Sequence, residues 1–367
     1  MTYPHTIQLR APWELRPLMR ENESLATGPP LRVEVPGESP LTPVDEQLGL
    51  RYSRRFNRPT GIDPHERVWL CCDGADPSAR VSLGEHELGH ILGYALPWEA
   101  DVTTHLAPHN ELIIEVLPAD ALRPGREHRP GGLIRDVRLE VRSRHWLAQC
   151  SLSLPYQAGV TRLRFSAQVN GPPGSGPLHV ALSHDQRELA YQPVEIGESF
   201  TLSADLSDLR PWSLGEPNRL GTFEVKLLSA HGAIWRREYV TAPLGLAWEG
   251  DRLRVLGEAI ALPLPATRFP LTPANDTQCL AALAATARRP LASLEILADA
   301  WYSRFDEQGI AVAQMMPRQW APTLCPLLAH HPSIVAWVAP PDEDAAPAAA
   351  IDWANRPRIP FDQVVVI

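Results

Sequence analysis

Residues 79–103 read ARVSLGEHELGHILGYALPWEADVT, and two incompatible folds can be written on them. One takes His86-Glu87-Leu88-Gly89-His90 as an H-E-x-x-H helix. Residues four apart share a helix face, so His86 and His90 would offer ring nitrogens to one Zn²⁺ while Glu87 polarises its water. The other takes the stretch as strand, turn and strand of a β-sandwich that runs on to Asp101-Val102-Thr103.

The surroundings favour the strands. A zinc site needs a third protein ligand, and the extended motif finds Leu96 where it wants a histidine. Glu111 and Glu115 lie at the other usual spacing, but Asn110 to Val116 is rich in β-branched residues and reads as strand. Ala79, Val81 and Leu83 alternate with Arg80, Ser82 and Gly84, a period of two. Asp76-Pro77-Ser78 is a turn, and Gly84 inside a helix would cost about 1 kcal/mol relative to alanine. No metal is therefore expected here, and no cofactor elsewhere: no glycine-rich phosphate loop precedes a helix and no G-x-S-x-G turn occurs.

The chain has 367 residues, 44% hydrophobic and 21% charged, enough for two or three ordinary soluble domains. A net charge of -9 argues against a nucleic-acid binder. No apolar run reaches the length of a signal peptide or a membrane span. The five cysteines, Cys71, Cys72, Cys150, Cys279 and Cys325, are odd in number and scattered, which reads as reduced thiols. Cys71 and Cys72 fall in the run Val68 to Cys72 and read as strand neighbours pointing to opposite faces. The expected location is cytoplasmic.

Three regions follow one another. Residues 1–130 read as short strands and turns of an antiparallel sandwich, with a polar, proline-rich excursion at 20–48. Residues 131–243 hold alternating runs at Val137–Val141, Leu152–Leu154, Leu163–Ala167 and Phe223–Leu227, an immunoglobulin-like spacing. Residues 244–367 change character. Helical patterns are expected at Thr277–Arg289, Ala300–Gln308 and Thr323–His330, alternating with strands at Ser293–Leu297, Ile310–Met315 and Ser333–Val338. The fold class is thus mainly β with a C-terminal α/β part.

With these segments in order, the chain resembles glycoside hydrolase family 2, the β-galactosidase, β-glucuronidase and β-mannosidase group. Leu88-Gly89, Gly93-Tyr94, Pro97-Trp98 and Asp101-Val102-Thr103 match its jelly-roll segment in register. Gly131 to Val137 is similar to its "G-G-I-Y-R-D-V". Leu209-Arg210-Pro211-Trp212-Ser213 with Glu216-Pro217-Asn218 is similar to "L-W-S-P-E-x-P-x-L-Y". Trp301 to Gly309 resembles "F-Y-D-L-C-D-E-x-G", and His331 to Trp337 resembles "H-P-S-I-I-I-W". The resemblance implies a jelly roll, an immunoglobulin-like sandwich and a (β/α) barrel.

The departures bear on chemistry. Retaining glycosidases set two carboxyls about 5–5.5 Å apart. The resemblance places the acid/base at Asp342, where the family has Glu, with Pro341 in place of the Asn. About 25 residues follow Asp342, so the barrel reads as truncated before a nucleophile strand. The family's "R-x-S-H-Y-P" is missing ahead of Trp301, and Arg126 to Pro130 replaces an Asp that some members use for substrate. No residue is therefore assigned to catalysis. The expected function is non-catalytic binding or sensing of an oligosaccharide, with Trp98, Trp301, His331, Trp337 and Asp342 as candidate ligand residues. The alternatives are a structural or interaction module, a residual or split glycosidase, and the H-E-x-x-H zinc hydrolase. Open barrel edges lead to the expectation of a homo-oligomer or a fixed protein partner.

Three simpler readings stand beside these. The tryptophans suit core packing as well as sugar stacking. Asp306-Glu307 reads as a solvated helix end, and His330-His331 as a helix terminus meeting the dipole.

Overall fold

Ser78–Leu83 and His86–Ile91 form an antiparallel hairpin closed at Gly84 and Glu85. Ala79, Val81 and Leu83 are buried on its inner face, as the alternation predicts. The H-E-x-x-H residues are thus strand, and the motif's glycine has a local cause. Arg80 faces His90 and Val81 faces Gly89, but Ser82 faces Glu87, so Leu88 is an extra residue in a bulge. Gly89 has φ +139°, and a Cβ there would stand 3.3 Å from Trp98 Nε1. A left-handed bulge position against an indole edge selects glycine.

The computed structural model describes residues 4–18, 28–41, 49–117, 123, 125–126, 129–174, 176–249, 252–259, 264–267, 291–338, 358–359 and 364–365. The chain divides into two compact units, Tyr3–Arg144 and a second that starts at His145.

The first unit is a sandwich of two antiparallel sheets. One runs His5–Gln8, Val137–Ser143, Glu66–Cys72, Trp98–Asp101. The other runs Leu31–Val33, Trp13–Leu18, Gly49–Asn57, His109–Leu117, Ser78–Leu83, His86–Ile91. Its core joins Val68, Leu70, Cys72 and Leu139 of the first to Trp13, Tyr52, Val81, Leu112 and Ile114 of the second. Val137–Ser143, which sequence pattern placed at the head of the second region, is a central strand here, paired along its length with Glu66–Cys72. Alternation identifies a strand but not its sheet. Asp101-Val102-Thr103 closes the fourth strand: Thr103 Oγ1 accepts from the Val68 amide at 2.8 Å while Asp101 Oδ1 accepts from the Thr103 amide at 2.9 Å.

The thiols behave as expected of strand neighbours. Cys72 lies in this core, whereas Cys71 sits 3.2 Å from Arg142 Nη2. Burial pushes both thiols up to about 12. Cys150 and Cys325 are likewise buried thiols; Cys279 lies outside the described residues.

The second unit opens with another sandwich. Trp146–Ser153, Val160–Asn170, Tyr156–Gln157 and Ser199–Leu206 form one sheet; Arg187–Val194, Leu178–His184, Gly221–Ser229 and Gly232–Thr241 form the other. Leu152, Leu163, Phe165 and Val169 meet Val180, Leu182, Phe223 and Val225 between them. The small sheet Leu246–Glu249, Arg252–Val255, Glu258–Ala259 follows.

A six-stranded sheet completes the unit in the order Arg358–Ile359, Ile334–Val338, Val312–Met315, Leu291–Ser293, Leu264–Thr267, Val364–Val365. Every pairing in it is parallel. Helix α1 (Asp299–Gln308) and helix α2 (Ala321–Leu328) follow its Leu291–Ser293 and Val312–Met315 strands, the βα alternation that the sequence pattern predicts. The strand expected over Ser293–Leu297 occupies Leu291–Ser293, because Leu294 to Ala298 form the turn into α1. α2 starts and ends two residues early, since Pro322 suits a first turn. The helix expected at Thr277–Arg289 lies outside the described residues.

α1 is tied to the sandwich at its C-terminus, where a helix leaves carbonyls without intrahelical donors. The Phe305 carbonyl accepts from Gly309 and from Ile310 at 3.0 Å. Asp306 O accepts from Trp212 Nε1 at 2.8 Å, and Glu307 O from the Asn218 amide at 2.8 Å. Gly309 is left-handed at φ +70°, and a Cβ there would lie 2.3 Å from Glu216 O. Asn218 Oδ1 in turn holds the Ser213 amide at 2.8 Å. Trp212 to Asn218, a family-like segment by sequence, is the socket for this helix end.

Candidate functional site

In parallel α/β sheets, chemistry gathers at the carboxyl ends of the strands. Register places Thr267, Ser293, Gln314, Trp337 and Arg358 side by side in one layer there. Gln314 is its hub and is fully buried. Its amide nitrogen stands 2.9 Å from Met315 O, 3.1 Å from Glu295 O and 3.3 Å from Ser293 O. Its Oε1 accepts from the Tyr302 hydroxyl at 2.6 Å, and that hydroxyl accepts from the Leu297 amide at 3.1 Å. A buried amide with every group matched is rigid and has nothing left for a ligand. The strand-to-helix segments 294–298 and 316–320 contribute a single carboxylate, Glu295, which is buried.

A second cluster lies just ahead of the Ile334–Val338 strand. His331 Nδ1 donates to Asp306 Oδ2 at 2.7 Å, and its Nε2 to Asp299 Oδ1 at 3.0 Å. Asp299, Tyr302 and Asp306 fall at i, i+3 and i+7 of α1, one stripe of the helix, and the Tyr302 and His331 rings stand 5.2 Å apart. Asp306 Oδ1 accepts from the Ser333 amide at 2.8 Å. Asp306 is therefore buried and fully engaged, not a solvated helix end; Glu307 alone keeps an exposed ion pair, with Arg304 at 3.6 Å. Adjacent helical residues diverge, and the sequence alone does not say which of the two turns inward.

His330 does meet the helix terminus, its Nδ1 donating to Leu327 O of α2 at 3.0 Å. Its ring packs 4.0 Å from His331 and 5.3 Å from Tyr239, and its carbonyl accepts from Thr241 Oγ1. Burial works against charge on both rings but with opposite outcomes. The carboxylates of Asp306 and Asp299 overcome it at His331, raised to about 9. Burial and the neighbouring imidazolium hold His330 well below the ordinary value. Asp299, though burial opposes it, is lowered to about 2 by its bond to His331. An aspartate–imidazolium–aspartate bridge at the amino end of a strand reads first as a structural tie.

The candidate ligand residues do not converge. Trp301 and Trp337 are fully buried, the Trp301 ring lying tilted against Phe305 at 5.6 Å. Trp98 is half-buried against the core of the first unit, above Gly89. His331 belongs to the bridge just described, and Asp342 lies outside the described residues. His86 and His90 make separate contacts, His86 with the His105 ring at 4.6 Å and His90 with Glu87 at 3.3 Å. The sequence reading did not anticipate Gln314, Tyr302 or Asp299. The D-x-x-Y-x-x-x-D stripe from Asp299 to Asp306 was the available signal.

No family model and no curated protein matches the chain. Solved structures do. A β-glucuronidase from Bacteroides uniformis superposes with a TM-score of 0.74 at 16% identity, over 92% of this chain and 47% of its own. A β-D-mannosidase from Dictyoglomus thermophilum gives 0.73 at 14%, over 96% and 57%. A GH2 β-galacturonidase from Eisenbergiella tayi gives 0.74 at 17%, over 92% and 65%. The chain thus spans about half to two-thirds of the length of these enzymes. Over more than nine-tenths of its own length it has the fold of glycoside hydrolase family 2.

Proposed function

We propose that this chain is a non-catalytic member of that fold group that binds or senses a carbohydrate. The observation that carries the reading is the layer at the strand ends. Gln314 donates to backbone carbonyls and accepts from the Tyr302 hydroxyl, Ser293 Oγ donates to Glu295 O, and Glu295 is the single carboxylate of the adjoining described turns. Retaining hydrolysis needs two carboxyls about 5–5.5 Å apart, on opposite sides of a sugar. Asp299, next along the chain, is committed to His331. The resemblance supplies Asp342 in a shortened form beside Pro341, which cannot orient a substrate as an asparagine would.

Calorimetry against a panel of β-linked oligosaccharides and uronides tests binding, and aryl β-glycoside assays test turnover. Saccharide binding with no release of the aryl group is expected. Turnover that disappears in Asp342→Ala would establish a glycosidase, and no saccharide binding at all would leave a scaffold. The reading extends to assembly as a homo-oligomer or with a fixed partner, and to a cytoplasmic setting. Native mass measurement showing only monomer would remove the homo-oligomer.

A further inference from the structure

We propose that Asp299, His330 and His331 form a zinc-type divalent metal site, independent of any carbohydrate site. One ligand atom of each lies within 4.8 Å of the other two, and Asp299 Oδ1 is already 3.0 Å from His331 Nε2. Tetrahedral zinc with bonds of 2.0–2.1 Å sets its ligand atoms about 3.4 Å apart. The closure needed is of the order of an ångström, shared between the His330 ring and the Asp299 side chain, which is exposed though bonded to His331.

Both rings are oriented as metal-binding histidines are. A ligating imidazole donates its other N–H to a carboxylate or a backbone carbonyl, which fixes the tautomer and aims the lone pair. His331 Nδ1 does so to Asp306 at 2.7 Å and His330 Nδ1 to Leu327 O at 3.0 Å. In that tautomer Nε2 of His330 carries no proton, and Nε2 of His331 coordinates once it gives up the proton it shares with Asp299. On binding, the His331 Nε2 proton now shared with Asp299 leaves to solvent and the metal takes its place between the same two atoms. No electron transfer is involved. Two carboxylates, Asp299 and Asp306, face the site, opposed by Arg237, which acts on Asp299 and His330. With a dication and neutral rings this leaves one net positive charge at a solvent-open edge. Two imidazoles and a carboxylate suit zinc or cobalt better than calcium or magnesium. The ion would clasp α1 to the turn after α2.

The test titrates the chelator-stripped full chain with Zn²⁺ by calorimetry and with Co²⁺ by visible absorption. One ion per chain, cobalt ligand-field bands and a higher Tm with zinc are expected. Asp306→Asn should weaken binding about 10–100-fold by releasing the His331 ring. Asp299→Asn and His330→Ala should abolish saturable binding, while His86→Ala with His90→Ala should leave it unchanged. Asp299 is exposed, so its variant folds even if His330→Ala does not. Absence of one-to-one binding, binding indifferent to Asp299→Asn, or binding lost with His86 and His90 would overturn the site.

Discussion

Replacing Asp306 by alanine leaves the His331 imidazolium buried with one carboxylate in place of two and strands the Ser333 amide. Removing one partner of a buried pair costs about 3–5 kcal/mol, to be read as a lower urea midpoint for the second unit. Asp306→Asn, which can still accept from Ser333, should lose less. The two histidines also give metal-free protein a pH optimum. His331, raised to about 9, binds a proton in the folded state that the unfolded chain releases near 6.5, so its contribution fades as pH climbs from 6.5 through 9. His330, depressed, refuses a proton that the unfolded chain takes up, so stability also falls as pH drops below 6.5. Urea midpoints measured from pH 5 to 9.5 with chelator present should peak near pH 6.5–7, and His331→Gln should flatten the alkaline limb. In the first unit, Gly89→Ala should cost about 1–3 kcal/mol, from a left-handed φ and the nearby Trp98. Asp306 shows what residue-scale reading lacks. Its partner His331 lies 25 positions away, and local sequence carries no sign of it.

At the scale of the element, the end of α1 is the sensitive joint. Trp212→Phe keeps the ring but leaves Asp306 O without its indole donor in a buried site, at about 1–3 kcal/mol. Amide exchange at Gly309 and Ile310, whose N–H groups close the last turn, should quicken with it. Elements with strict alternation were readable in advance: Ser78–Leu83 buries alternate side chains because only one of its faces meets a core. What alternation could not supply was partnership. Val137–Ser143 has the pattern of a strand in either sandwich, and its sheet is decided by the register with Glu66–Cys72 across some 65 intervening residues. The H-E-x-x-H spacing failed as a helix for the converse reason, since its glycine answers to a bulge rather than to a metal.

Across the whole molecule, the order of sandwich, sandwich and parallel sheet was legible because two stretches of period-two strands are followed by strands that alternate with helical patterns. The layer at the strand ends was not. Ser293, Gln314 and Trp337 are scattered in sequence and become neighbours only through parallel register. Gln314→Ala should empty a buried polar node, remove the Gln314 acceptor of the Tyr302 hydroxyl and lower the Tm of the second unit without changing saccharide binding, if that layer is sealed as its hydrogen bonds indicate. A change in saccharide affinity there would make the layer part of the binding surface. Among the described residues no helix is long and apolar enough to cross a membrane.

The socket formed by Trp212 to Asn218 around the end of α1 also constrains how such chains can be recombined. Phe305 to Gly309 and the sandwich loop exchange hydrogen bonds through backbone as well as side chain, so neither can be swapped alone. A chimera that takes the sandwich from one relative and the parallel sheet from another has to inherit both halves of this joint from the same parent. Otherwise it begins with a frayed helix and an unpaired indole.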